Sequence, residues 1–183
     1  TETGTLLVLD EIQAGFGRTG TLWGFEQFGI IPDILLLGKA LGAGMPLGAF
    51  IANCEVMNLF TENPVLGHIT TFGGHPVCCA AGLAGMKALL NQQLIADVVR
   101  KAELFENLLV HPVIKKVRSA GLLMAVEFEH PQTAKKVIDQ CIADGVLTDW
   151  FLFAPQCMRL APPLVISDDQ IRLACRVILN ACD

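Results

Sequence analysis

Residues 5–10 read TLLVLD and residues 34–39 read ILLLGK, two short apolar runs that each end in a charged side chain. Uninterrupted apolar runs of this length are typical of strands buried on both faces of a parallel sheet. In open α/β sheets, ligands bind at the carboxyl ends of such strands. The pattern therefore predicts an α/β fold in which Asp10 and Lys39 face one crevice.

The composition excludes several classes of protein. Apolar residues make up 52% of the 183 residues and charged residues 17%, whereas disordered chains combine low hydrophobicity with high charge. Asp and Glu (18) outnumber Lys and Arg (13), which is the wrong balance for an electrostatic nucleic-acid binder. The seven cysteines are odd in number and form no C-x-x-C pair. This usage, without a secretory signal pattern at the first residues, predicts a cytoplasmic protein.

A membrane span is the alternative interpretation of residues 34–54, where Lys39 is the one charged side chain in 21 positions. That length would cross a bilayer. Four glycines and Pro46 interrupt the stretch, however, and a lysine within it would be costly. We therefore expect no membrane association, and a buried strand, a glycine-rich loop and a second strand in this region.

Glycines and basic residues divide the chain into two predicted domains, residues 1–95 and 96–183. Fifteen of the 17 glycines lie in residues 1–85, whereas eleven of the 13 basic residues come after them. In the first domain the sequence predicts strands at 5–9, 34–37 and 48–52 and a helix over 76–90. In the second it predicts strands at 122–128, 146–148 and 158–160, a helix over 131–144, and a last helix that Ser167 caps.

Lys39 and Asp10 are the most informative pair of residues. Lys39 extends to solvent in one interpretation; in the other, apolar surroundings lower its pKa and make it a nucleophile for a carbonyl. Asp10 is either a turn residue or the partner of a cationic ring nitrogen. A pyridoxal-phosphate site requires a lysine for the aldehyde and a carboxylate for the pyridinium, so the pair predicts that cofactor.

Other patterns are weaker. Residues 15–20 match G-x-G-x-x-G, but five residues separate them from the strand and no helix pattern follows, so we predict a turn-rich loop and not a dinucleotide site. Residues 68–75 (HITTFGGH) are either a surface loop or a phosphate-binding turn. Its histidines with Cys78 match no zinc spacing, and no metal is expected. Arg159 is either a surface ion pair or a clamp for a substrate carboxylate.

Four ordered motifs resemble the class III aminotransferases, the ω-amino-acid type that includes acetylornithine and ornithine aminotransferases. They are LLVLDEIQAGFGRTG (6–20), PDILLLGKALGAGMPLGA (32–49), HITTFGGHP (68–76) and RLAPPL (159–164). The resemblance covers the whole chain. It implies a fold type I pyridoxal-phosphate transferase, with part of the large-domain sheet and a connecting helix in 1–95 and the small C-terminal domain in 96–183.

The resemblance also implies a role for each site residue. Lys39 would form the Schiff base with pyridoxal 5'-phosphate, and Asp10 would keep the ring nitrogen protonated. Gln13 would lie beside the ring hydroxyl, and Thr71 would reach the phosphate bound in the neighbouring subunit of a homodimer. Arg159 would serve the substrate carboxylate or the specificity gate.

What the sequence lacks leaves alternatives open. Family members carry a Ser-Gly phosphate-binding segment and a ring-stacking aromatic residue upstream of the first motif, and neither occurs here. The resemblance therefore implies that the 183-residue chain alone is inactive and that the full-length enzyme transfers an amino group between an amino acid and a 2-oxo acid. Lys39 and Asp10 would equally serve an aminomutase or a decarboxylase. A non-catalytic fragment is the third possibility.

Overall fold

The computed structural model describes residues 3–183, which form an α/β protein of two compact units. The first unit holds the chain up to Gly17 together with Thr21–Gln93. The second holds Leu94–Asp183 and, from the middle of an early loop, Arg18–Gly20. Among the described residues, no helix has the length and apolar character needed to cross a membrane.

A three-stranded sheet organises the first unit. Its strands are β1 (Val8–Asp10), β2 (Ile34–Leu37) and β3 (Ala49–Ala52), in that order. β1 and β2 are parallel, with Asp10 opposite Leu36, and β3 is antiparallel to β2. The parallel pair brings the carboxyl ends of β1 and β2 to the same edge, as the apolar runs predicted.

The expectation that these strands are buried on both faces was wrong for this chain. Val8 in β1 is 49% exposed, and only Leu37 is buried in β2. Apolar side chains are also exposed along the rest of the unit, Phe50, Phe72 and Leu83 among them. An apolar run indicates a strand whose side chains pack against other apolar surface, and the described residues do not provide that surface around these strands.

Short helices and one long helix complete the first unit. They are 3-10 helices at Gly24–Phe28 and Lys39–Gly42, α1 (Cys54–Asn58) and α2 (Pro76–Asn91). α2 packs against the 3-10 helix Lys39–Gly42: a Cβ at Gly82 would lie 2.6 Å from the Leu41 carbonyl oxygen. Glycine at this position allows this close approach of the two helices.

The second unit is an antiparallel sheet with helices around one core. Its strands are β4 (Ile114–Ala120), β5 (Leu123–Phe128), β6 (Asp149–Phe151) and β7 (Ala154–Leu160), in the order β4-β5-β7-β6. Its helices are α3 (Val98–Leu108), α4 (Pro131–Ala143) and α5 (Asp168–Cys182). Burial alternates along β5. The core contains its buried residues Met124, Val126 and Phe128 together with Phe105 of α3, Val137 of α4 and Ile178 of α5.

Most predicted elements of this unit are present, with shifted bounds. The predicted cap of α5 is confirmed, because the Ser167 hydroxyl accepts a hydrogen bond from the Gln170 amide and the Gln170 side-chain oxygen accepts one from the Ser167 amide. The strand predicted at 146–148 is found at Asp149–Phe151. β4 was not predicted, since its sequence IKKVRSA carries three basic residues and does not alternate like β5.

Arg18–Gly20 belongs to the second unit because it docks on the turn between β4 and β5. The Arg18 carbonyl accepts a hydrogen bond from the Leu122 amide at 2.9 Å, and the Arg18 guanidinium donates to the carbonyls of Leu122 and Pro162. Burial lowers the pKa of this guanidinium. Gly121, with φ +56°, leaves room for the backbone of Thr19.

Candidate functional site

Asp10 and Lys39 lie at the same edge of the first unit's sheet. Asp10 ends β1 and is paired in register with Leu36 of β2. β2 ends one residue later, and Lys39 begins the 3-10 helix that follows Gly38. The parallel register therefore brings a carboxylate and an amine to neighbouring strand ends, where α/β sheets bind ligands.

Lys39 is exposed in this chain and not buried among apolar side chains. The interpretation that began from desolvation is therefore wrong for the described residues. Lys39 has a φ of +45°, a left-handed conformation that costs energy for a residue with a side chain. Such strain is concentrated at functional sites, where surrounding structure holds it in place.

The Asp10 carboxylate is held by its own turn. Its Oδ1 accepts a hydrogen bond from the Ile12 amide at 2.9 Å, and the side chain is exposed. Gln13 follows in the same run of turns and is also exposed. The first motif thus places two polar side chains at the carboxyl end of β1, both accessible to a ligand.

Glu11 is the residue that sequence reasoning missed. Its carboxylate is 4% exposed and accepts hydrogen bonds from the amides of Gly24 (3.0 Å) and Phe25 (2.9 Å). The signal was present as a second carboxylate after the strand. Glu11 follows the last residue of β1, and its side chain turns to the amides that begin the 3-10 helix Gly24–Phe28.

The glycines of residues 15–20 shape a loop, as predicted. Residues 12–19 are turns, and Gly17 and Gly20 have φ of +83° and +97°. Phe16 is buried, with its ring edge-to-face on Trp23 at 5.0 Å between centroids. The first helix after the glycines is the short 3-10 helix Gly24–Phe28, so these glycines lack the helix that a dinucleotide site requires.

Thr71 lies in an exposed turn just before α2. The turn is closed by hydrogen bonds from the Gly73 amide to the Thr70 carbonyl and from the His75 amide to the Phe72 carbonyl. Pro76 then begins α2. Thr71 therefore precedes the first residue of α2 by five positions. Within residues 3–183 no group of three His, Cys, Asp or Glu side chains is arranged to hold a metal ion.

Arg159 lies on β7 in the second unit and is engaged by Asp149 of the neighbouring strand β6. Its Nε donates to Asp149 Oδ1 at 2.8 Å, and its Nη2 contacts the other carboxylate oxygen. The guanidinium also lies over the Phe151 ring, 5.9 Å from its centroid. Half-buried and held on two sides, this guanidinium is oriented more firmly than one in an isolated surface pair.

A family model and solved structures of known proteins both relate this chain to aminotransferases. The family model "Aminotransferase class-III" matches residues 1–182. The ornithine aminotransferase of Toxoplasma gondii is 34% identical, with a TM-score of 0.88 over 98% of this chain and 43% of that one. An aminotransferase of Bacillus anthracis is 29% identical, with a TM-score of 0.90 over 99% of this chain and 45% of that one. The chain thus spans less than half the length of these relatives.

Proposed function

This chain belongs to the class-III aminotransferase family, and we propose that the complete protein transfers an amino group between an amino acid, or an ω-amino acid, and a 2-oxo acid. Its cofactor is pyridoxal 5'-phosphate. The observation that carries the proposal is the parallel register of β1 and β2, which puts Asp10 and Lys39 at one strand-end edge. Residues 1–95 then belong to the large cofactor domain and residues 96–183 to the small C-terminal domain.

The donor set fits this cofactor. An amine for its aldehyde and a carboxylate for its ring nitrogen lie at adjacent strand ends. Both side chains are exposed, which leaves room for a planar group. Pyridoxal phosphate supplies an electron-accepting ring that stabilises negative charge on the substrate carbon. These features support the proposal by chemistry as well as by family membership.

Each residue has a defined task in the proposed reaction. The Lys39 amine would hold the cofactor through its aldehyde and, when free, would carry a proton to and from the substrate carbon. The Asp10 carboxylate keeps a proton on the ring nitrogen. Gln13 would lie beside the ring hydroxyl, and Thr71 would reach the phosphate held by the other subunit of a homodimer. Arg159 would serve the substrate carboxylate or the specificity gate.

Reductive trapping tests the proposal. The complete protein is loaded with pyridoxal phosphate, treated with borohydride and digested, and the modified lysine is located by mass spectrometry. We expect the modification on Lys39, its loss in Lys39→Ala, and its retention in Lys87→Ala, a control at an exposed lysine of α2. Modification elsewhere, or a trapped product that survives Lys39→Ala, would refute the assignment.

A panel of amino donors tests the reaction type. With 2-oxoglutarate as acceptor, we expect glutamate to form from at least one amino or ω-amino acid. Release of carbon dioxide, or an isomeric amine without transfer to the acceptor, would identify a decarboxylase or an aminomutase instead. The 183-residue chain, which spans 43% of its relative from Toxoplasma gondii, is expected to be inactive by itself.

A further inference from the structure

Glu11 is a buried carboxylate next to Asp10 in the chain, and no step of the proposed reaction uses it. Burying an ionised carboxylate is expensive unless hydrogen bonds compensate for the lost water. Here the compensation comes from Gly24 and Phe25, whose amides donate to Oε2 and Oε1. These amides begin the 3-10 helix Gly24–Phe28, where backbone donors have no partner within the helix.

The backbone of Glu11 makes two further hydrogen bonds. Its amide donates to the Leu36 carbonyl of β2 at 3.0 Å, and its carbonyl accepts from the Gly15 amide at 3.0 Å. Leu36 is three residues before Lys39. Glu11 thus connects the end of β1 to β2, to Gly15 in the loop that carries Gln13, and to the 3-10 helix Gly24–Phe28.

The packing around Glu11 leaves little space for displacement. A Cβ at Gly24 would lie 3.1 Å from Oε1 and 3.2 Å from Oε2 of Glu11. A Cβ at Gly15 would lie 2.9 Å from the Glu11 carbonyl oxygen and 3.1 Å from the Trp23 ring. Since glycine stands at both points of closest approach, the loop is folded directly onto this one residue.

We propose that Glu11 is a positioning residue for the cofactor site, holding the Asp10 carboxylate in a constant position relative to the strand that leads to Lys39. The inference rests on the proposed function. Glu11 acts through Asp10 and through the loop of Gln13, and it does not itself touch the cofactor. Its four hydrogen bonds restrain the segment just after β1, where a small displacement would change the contact between Asp10 and the ring nitrogen.

The test is Glu11→Gln in the complete protein, with Glu62→Gln as the same change at an exposed position. An amide of similar shape keeps one oxygen but turns an NH2 group toward a backbone N–H, so one hydrogen bond becomes a donor–donor contact. In the apoprotein, amide hydrogen exchange of residues 24–28 is expected to rise about tenfold or more in Glu11→Gln.

The cofactor provides the readout that a purely structural role would not change. In Glu11→Gln we expect the affinity for pyridoxal phosphate to fall about tenfold, as for the loss of one charge-assisted hydrogen bond. The pH midpoint of the bound cofactor's visible absorption is expected to shift, because Asp10 holds the ring proton less well. Glu62→Gln is expected to match the wild type in exchange, affinity and midpoint.

A second variant covers the case in which Glu11→Gln does not fold. Gly24→Ala keeps the glutamate at position 11 but displaces its carboxylate by a few tenths of an ångström. We expect hydrogen exchange, cofactor affinity and pH midpoint to change in the same directions as in Glu11→Gln, by smaller amounts. Gly48→Ala is the control, since its Cβ would meet only the Leu37 carbonyl oxygen at an ordinary 3.6 Å.

The outcomes separate the two proposals. If borohydride places the cofactor on Lys39 in the wild type, but the pH midpoint in Glu11→Gln or Gly24→Ala equals that of the controls, the positioning role is refuted while the proposed function stands. If the wild type carries no cofactor on Lys39, the proposed function fails and this inference fails with it. A change in hydrogen exchange without a change in midpoint would leave Glu11 a purely structural residue.

Discussion

Replacing Gly121 by alanine is expected to destabilise the second unit by about 2–5 kcal/mol. A side chain at φ +56° costs about 1–2 kcal/mol through the clash of Cβ with its own backbone. The new Cβ would also lie 2.6 Å from the Thr19 carbonyl carbon and 2.7 Å from the Arg18 oxygen. These are backbone atoms that cannot rotate away, and displacing them costs about a further 1–3 kcal/mol.

Gly145→Ala is the matched control. Gly145 also has a positive φ, +88°, but a Cβ there meets nothing within 4 Å, so only the conformational cost of about 1–2 kcal/mol remains. The difference between the two variants, about 1–3 kcal/mol, therefore measures the docking of Arg18–Gly20 on the turn. If the free energy of unfolding falls by about 2 kcal/mol per molar urea, this difference in stability separates the two unfolding midpoints by roughly 0.5–1.5 M.

Urea unfolding in a Trp23→Phe background measures this difference. Trp23 lies in the first unit and Trp150 in the second, so the remaining tryptophan reports on the second unit. Equal midpoints for Gly121→Ala and Gly145→Ala would show that the 18–20 segment does not dock on the turn in solution. In that case the hydrogen bonds of Arg18 to Leu122 would contribute nothing to stability.

Four further predictions concern the stability of the second unit and the reactivity of one cysteine in each unit. Ser167→Ala removes the cap of α5 and is expected to lower the free energy of unfolding by about 1 kcal/mol in urea titrations. Phe128→Ala, at a side chain that is 1% exposed, is expected to cost about 3–5 kcal/mol in the same assay, whereas Phe153→Ala, at 96% exposure, changes it by less than about 0.5 kcal/mol. Burial raises the pKa of Cys141 to about 11, so the folded state retains this proton above the ordinary thiol pKa, and stability is expected to fall as pH rises from about 9 toward 11. Alkylation of the native protein at pH 8 is expected to modify exposed Cys54 and spare Cys141 until it unfolds.

The common sheet edge of Asp10 and Lys39 was predictable from sequence because both residues lie at the ends of short apolar runs. Asp10 and Lys39 each follow such a run, and strand ends of a parallel pair meet at one edge. Their surroundings were not predictable in the same way. Local hydrophobicity suggested a desolvated Lys39, but Lys39 is exposed at the start of the 3-10 helix that follows β2.

Long-range pairing explains the other differences. β4 carries three basic residues and becomes a strand through its register with β5, at the edge of the sheet. Gly121 lies in the turn between β4 and β5. Its close approach to Thr19 joins positions far apart in the chain, and no local pattern reports such a contact.

The sequence by itself determined the order of most elements, the capped last helix and the family, because periodicity, capping residues and ordered motifs are local properties. Only the tertiary structure decided which of two adjacent carboxylates is buried. Asp10 is exposed at the strand end, while Glu11 turns inward to the amides of Gly24 and Phe25. The physical reason is that a buried charge is tolerated only where distant backbone donors converge on it, and folding alone brings those donors together.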